Sequence, residues 1–355
     1  MLDRLFAIRT VAGKVALGGV IGSVLLLAAC TPPSTSTGTT GTSTGTATAN
    51  SSLTSCTASV QDLINTTGNP NQTPPATKYN VSGSITADGS SALQPLVKAA
   101  AAVFDTGNGT HSSINAGGSG KGLTDVQNGA VQIGMSDLFQ SDKNISGLTD
   151  HQIAVVGFTL VVSNDLKGKV DNLTTQQIQD IYSGKVTNWS QIGGPNELIT
   201  VVNRPANSGT RGTFEKYILK STNEVPGNTL TQDNTGAVFQ AVTSTPGSIG
   251  YVATGFVTTS DAANAPSPIC IDGYKADAQD INSGKYQFWN VEHAYTKGPA
   301  TGAAKALLQY VESNAVQTTL VPKLNYFTIT SIDPAALKSH VPANAPAPES
   351  FYANS

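Results

Sequence analysis

Arginine is nearly missing from this chain: four occur in 355 residues, at positions 4, 9, 204 and 211. Charged residues make up only 12% of the sequence and aromatics 6%. So few basic side chains exclude the electrostatic surface that nucleic-acid binding demands. The four histidines, at 111, 151, 293 and 340, are scattered without ligand spacing, so no metal centre is expected. No repeat of short fixed period exists, which excludes a solenoid. The apolar run from Val15 to Ala29 is too short and too rich in glycine for a comfortable membrane span.

That run has another reading. Arg4, Arg9 and Lys14 precede it against a single Asp3, and it ends in Leu27-Ala28-Ala29-Cys30. This is the pattern of a lipoprotein signal over residues 1–29, with Cys30 as the mature N-terminus carrying a diacylglycerol thioether. The signal holds three basic residues and one acidic; without it 17 basic face 22 acidic side chains, a net charge of −5. Residues 30–78 are expected to form a flexible tether, because Thr31 to Asn50 is almost wholly Thr, Ser, Gly, Ala and Pro and no charge occurs before Asp62. About 260 residues remain, enough for two lobes, followed by an Ala- and Pro-rich tail over 341–355 expected to be loosely ordered. Cys56 and Cys270 form the only pair left beside Cys30; an oxidising compartment permits a disulfide, and the sequence leaves open whether they bridge.

The body alternates strand, small-residue loop and helix. Val81 to Ala87 reads as a strand, Asp88-Gly89-Ser90-Ser91-Ala92 breaks it, and apolar positions from Leu93 follow helical spacing. Ser113 to Ala116, the loop Gly117 to Gly122 and a helix from Leu123 repeat the unit. A third strand ends at Ser136-Asp137, and Ile153 to Val162 has the continuous apolar pattern of a strand buried on both faces. The strand Leu198 to Val202 delivers Arg204, and Ser208-Gly209-Thr210 opens the next helix. The pattern predicts an α/β fold.

Three loops at the carboxyl ends of strands thus carry Ser90-Ser91, Ser119 and Ser208-Gly209-Thr210, at the edge where open α/β sheets bind ligands. Hydroxyls, free N–H groups at helix starts and the Arg204 guanidinium suit a tetrahedral oxyanion. A lone Ser-Gly-Thr step usually only caps a helix; three such loops together argue for a site. Asp137 is out of place beside an anion unless the ligand itself brings a proton, as phosphate does and sulfate does not near neutral pH. The commoner role for an Asp after a strand is an N-cap.

Six strings in order resemble the phosphate-binding lipoproteins of bacterial phosphate ABC importers. They are Thr86 to Leu96, Gly117 to Leu123, Ile133 to Asp137, Leu173 to Gly193, Asn203 to Thr210 and Glu292 to Gly298. The resemblance runs from Val81 to Asn325. It implies a two-lobed type II periplasmic binding protein fold, the Venus flytrap, with a two-stranded hinge. Its lobe I is expected over 79–160 plus 250–340 and its lobe II over 161–249. It further implies that Ser91 donates its hydroxyl and Ala92 its N–H, that Ser119 gives both, that Asp137 accepts the ligand's proton, and that Arg204, Ser208, Gly209 and Thr210 bind from the other lobe. The family often carries Thr-Phe where Ser91-Ala92 stands, which leaves open whether Ser90 or Ser91 supplies the hydroxyl. Arg211 is expected to form a salt bridge, to Asp137 or to a surface acid, and Trp189 and Tyr251 to pack in the core or between lobes.

The resulting expectation is an extracytoplasmic, lipid-anchored monomer that binds inorganic phosphate, uses no cofactor or metal, and passes its ligand to a transmembrane permease. The alternatives are a protein for sulfate or molybdate, disfavoured by Asp137, and a phosphate sensor or adhesin. An enzyme is disfavoured because Ser208 lacks a G-x-S-x-G elbow and no histidine stands in a triad context. The Gly117 loop also fails as a P-loop, with Asn115 in place of its first glycine and Gly122 in place of Ser/Thr.

Overall fold

The structure, a computed structural model, describes residues 52–220, 223–224, 229–260, 264–343 and 345–351. The signal over 1–29, Cys30 and the tether as far as residue 51 lie outside the described residues.

Eleven strands are described: β1 (Ser82–Gly89), β2 (Gly109–Ile114), β3 (Ile133–Ser136), β4 (Thr149–Val162), β5 (Asn172–Leu173), β6 (Thr200–Asn203), β7 (Thr229–Thr231), β8 (Ser248–Ala253), β9 (Ser267–Ile271), β10 (Trp289–Thr296) and β11 (Tyr326–Phe327). Their main path runs β2-β1-β3-β10-β4-β8-β6-β7. At one end β1 pairs parallel with β2 and β3; at the other β6 pairs parallel with β7 and β8. The long apolar strand β4 joins the two groups. Its residues 149–157 pair antiparallel with β10, and 158–162 pair with β8. Buried on nearly its whole length, β4 lacks the alternation of a one-sided strand, as its sequence foretold.

Each parallel group delivers a loop and then a helix from the carboxyl ends of its strands. After β1 comes the helix Gln94–Gly107, after β2 the helix Ser119–Asn128, and after β6 the helix Gly209–Phe214. Strand β2 starts earlier than the hydrophobic pattern suggests, because Asp105 accepts hydrogen bonds from the hydroxyls of Thr110 and Ser112 and holds a polar edge strand in place.

Two expectations require correction. From residue 52 onward the tether is docked, not free. Leu53 and Leu63 are buried, the Leu53 carbonyl accepts the N–H groups of Asp171 and Asn172, and Asn65 binds Asn325 and the Tyr326 carbonyl. A disulfide joins Cys56 to Cys270, with Cα atoms 6.1 Å apart. Closing so long a loop removes on the order of 5 kcal/mol of unfolded-chain entropy in the loop-closure account. Composition misleads here because two leucines, a few backbone bonds and one covalent link suffice to hold a segment too polar for a core of its own. The tail is likewise anchored over 345–351: Phe351 is buried with its N–H on Glu312, and the Glu349 N–H reaches the Asp150 carbonyl.

Candidate functional site

The loops from both parallel groups converge on Asp137, which is 1% exposed. Its Oδ1 accepts the Ser119 hydroxyl at 3.2 Å and its Oδ2 the Thr210 hydroxyl at 3.0 Å, while its own N–H donates back to Ser119 Oγ. Ser119 begins the helix after β2 and Thr210 lies in the helix after β6, so one carboxylate is held from both sides. Burial raises the Asp137 pKa; hydrogen bonds from Ser90 and Thr210, the charge of Arg204 and a bond from Ser119 oppose that shift.

Arg204 follows β6 and is also 1% exposed. Its guanidinium donates to Thr235 Oγ1, Ser91 Oγ and the Asp233 carbonyl at 3.1–3.4 Å, and its Nε has no partner within the protein. Burial lowers its pKa, partly offset by Tyr251, Asp137 and Asp233. Among the described residues no carboxylate forms an ion pair with it, so a full positive charge is held in the interior by neutral acceptors. That arrangement favours an anion arriving from outside.

The two loop serines divide their work. Ser90 Oγ accepts the N–H groups of Ala92 and Leu93, which fixes the turn leading into the helix after β1, and it also faces Asp137. Ser91 Oγ sits between Arg204 and Thr235, 3.0 Å from the Thr235 hydroxyl, and accepts the Thr235 N–H. Ala92 is buried beside them. Ser208 caps its helix by accepting the Arg211 N–H. Gly209 is required by space: a Cβ there would stand 2.1 Å from Ser119 Oγ and 2.9 Å from the Asp137 Cβ. All nine residues expected at the site therefore lie in one cluster.

Arg211 makes no bond to Asp137. It pairs with Glu215 at 2.8 Å and with the buried Glu224 at 3.1 Å, and its Nη1 donates to the Arg204 carbonyl at 2.7 Å. Trp189 and Tyr251 are buried in the core; the Trp189 indole binds the Gly247 carbonyl and Tyr251 stacks on Phe214.

Four further residues were not foreseen. Thr235 bridges Ser91 and Arg204, and Asn207 joins the two sides by binding the Gly117 carbonyl while its own carbonyl accepts the Gly120 N–H. Asn290 donates to the Asp137 carbonyl at 2.6 Å and to Thr213 at 3.3 Å, and Glu292 lies two residues further along β10. The last two had a signal: polar residues at alternate positions of a buried strand share one face. Among the described residues there is no group of three or more His, Cys, Asp or Glu able to hold a metal ion.

A protein-family model described as a PBP superfamily domain matches residues 36–315, and the chain belongs to that superfamily. It is 42% identical to the phosphate-binding protein PstS of Bacillus subtilis (strain 168) over 255 residues, 71% of this chain and 82% of the relative. That degree of likeness makes it a member of the PstS family. Among solved structures, a phosphate ABC transporter substrate-binding protein with bound phosphate from Clostridium perfringens aligns with a TM-score of 0.62 at 27% identity. The alignment covers 69% of this chain and 99% of that one. An ABC-type phosphate transport receptor from Vibrio cholerae, 22% identical with a TM-score of 0.54 and the same coverage, shares the fold. The two-lobed type II α/β architecture and the family resemblance read from the six motifs thus agree with these relatives.

Proposed function

We propose that this protein is an extracytoplasmic solute-binding protein that captures inorganic phosphate between two lobes and delivers it to an ABC permease. One observation carries the reading: the buried Arg204 guanidinium has no carboxylate partner of its own and lies in the same cluster as hydroxyls from three loops and the proton-accepting Asp137. Phosphate satisfies both charged groups at once. Its oxygens take the guanidinium, the hydroxyls and the helix N–H groups of Gly209 and Thr210, and its proton goes to Asp137. Ser91, which faces Arg204, is the better donor; Ser90 serves the turn before the helix and Asp137.

In this reading lobe I hands over to lobe II along β4, where the partner changes from β10 to β8; β8 and β9 pair with β6, β5 and the second half of β4, which favours a return to lobe I after 271 over the expected return at 250. The signal pattern supports a lipid anchor at Cys30, and a binding set made of the protein's own hydroxyls, amides and guanidinium supports capture without cofactor or catalysis; in this reading the protein acts as a monomer. A carboxylate facing the ligand disfavours sulfate and molybdate, since leaving a buried charge without its hydrogen bond costs several kcal/mol.

Calorimetry with phosphate, arsenate and sulfate on protein lacking residues 1–30 tests this. Phosphate and arsenate should bind comparably, and sulfate roughly a hundredfold or more weakly. Equal binding of sulfate would overturn the role of Asp137.

A further inference from the structure

Glu292 is a second carboxyl at the site, and phosphate capture by the nine clustered residues leaves it without a role. Its side chain is 0% exposed, and neither Oε1 nor Oε2 has a hydrogen-bond partner. Asn290, two residues earlier, donates to the Asp137 carbonyl and to Thr213. Strand alternation puts Glu292 on that same face of β10, turned toward the loop that carries Asp137. An ionised carboxylate without a cation or donor is strongly disfavoured in such a place, so the group stays neutral and its O–H needs an acceptor.

The titratable surroundings leave one acceptor. Burial raises the Glu292 pKa well above the ordinary value, and the neighbouring Asp137 carboxyl raises it further. Tyr326 of β11 faces both acids, which help to raise its own pKa well above normal, but its hydroxyl is committed to the Ala92 carbonyl. On β4, Ala154 stands opposite Glu292, while Asp150 is engaged by His293. On the helix after β2, Lys121 pairs with Asp88 and Asp125. Arg204 reaches Asp137 from the other lobe, and Arg211 is taken by Glu215 and Glu224.

We propose that Glu292 is a positioning residue for phosphate capture: its protonated carboxyl donates to Asp137, and the two acids share one proton so that the site carries a single negative charge. This rests on the phosphate reading above. With the proton held on Glu292, Asp137 stays an ionised acceptor for the ligand's proton, to which Ser119 and Thr210 can cede a place by turning their hydroxyls to the phosphate, and a second charge is kept away from the bound anion. When alkaline conditions remove the proton, two carboxylates face the phosphate, and affinity falls.

The test is phosphate calorimetry from mildly acidic to strongly alkaline pH on the wild type, Glu292→Gln and Glu292→Leu. The wild type should lose affinity on the alkaline side, by about tenfold per pH unit beyond the pair's ionisation. Glu292→Gln, which keeps a donor but cannot ionise, should match the wild type at neutral pH and lack the alkaline loss. Glu292→Leu should be weaker than Glu292→Gln at neutral pH, because Asp137 loses its donor. Identical pH profiles for wild type and Glu292→Gln, or equal weakening by Gln and Leu, would overturn the proposal. Infrared spectroscopy of the wild type gives a readout that does not depend on either variant folding: a protonated-carboxyl band should persist at mildly alkaline pH, and its absence would also overturn the proposal. No phosphate binding by the wild type at any pH would instead refute the functional reading.

Discussion

Arg204 and Arg211 stand seven residues apart in one loop and helix, yet they are used in opposite ways. Arg211 is half-buried and has two carboxylates, Glu215 and Glu224, so its charge is neutralised inside the protein. Arg204 is buried more deeply and touches only hydroxyls and a carbonyl. The two are linked, since Arg211 donates to the Arg204 carbonyl and so fixes the backbone from which the free charge extends. A binding charge has to be withheld from the protein's own acids, and a structural charge must not be. Sequence position alone does not distinguish the two.

The largest effect expected from breaking this contrast is on ligand capture. Arg204→Ala should weaken phosphate binding by at least about a hundredfold, roughly 3 kcal/mol, as the anion loses its one full counter-charge. Its melting temperature should change little; calorimetry and thermal melts together check this, and unchanged affinity would show that the site is elsewhere. Arg211→Ala should reverse the pattern. Leaving the buried Glu224 without its cation should cost roughly 3 kcal/mol of stability, read by denaturant unfolding, while phosphate affinity drops only several-fold. A loss of affinity as large as that of Arg204→Ala, with stability intact, would erase the distinction.

The smallest effect lies far from both arginines. Glu312 is buried under the C-terminal segment with no cation fully paired to it, and burial raises its pKa from 4.5 to about 7. A carboxyl raised on folding contributes stability that is complete in acid and is lost as pH rises through about 7. The Phe351 amide, which donates to Glu312, should therefore exchange faster with solvent at mildly alkaline than at mildly acidic pH, beyond the intrinsic rate change. Glu312→Gln should abolish that difference and leave phosphate affinity unchanged, separating a burial-driven titration from one that governs binding.

The parts legible in the sequence are those where function and local chemistry coincide. Ser90, Ser119 and Ser208 stand in short loops whose glycines, hydroxyls and following helices are contiguous, so each loop carries its own signature. Asp137 was legible by contradiction, as an acid among anion donors. Thr235 was not, because it reaches the cluster only through the helix Thr235–Ser244; Asn290 and Glu292 showed only as polar residues sharing one face of a strand, and nothing local says that β10 returns that face to the cluster. The segment 52–78 was misread because its anchoring depends on Asn325 and Cys270, more than 200 residues away. Phe351 was misread for a similar reason: one aromatic ring stacked on His151 is enough to pin a polar tail.

The disulfide has a consequence for biogenesis. Its halves are 214 positions apart, so a polypeptide emerging amino end first exposes Cys56 long before its mate. During that wait Cys30 is the sole rival thiol ahead of it. The thioether proposed for Cys30 would take that rival out of competition, so that the same modification would leave oxidation a single correct outcome.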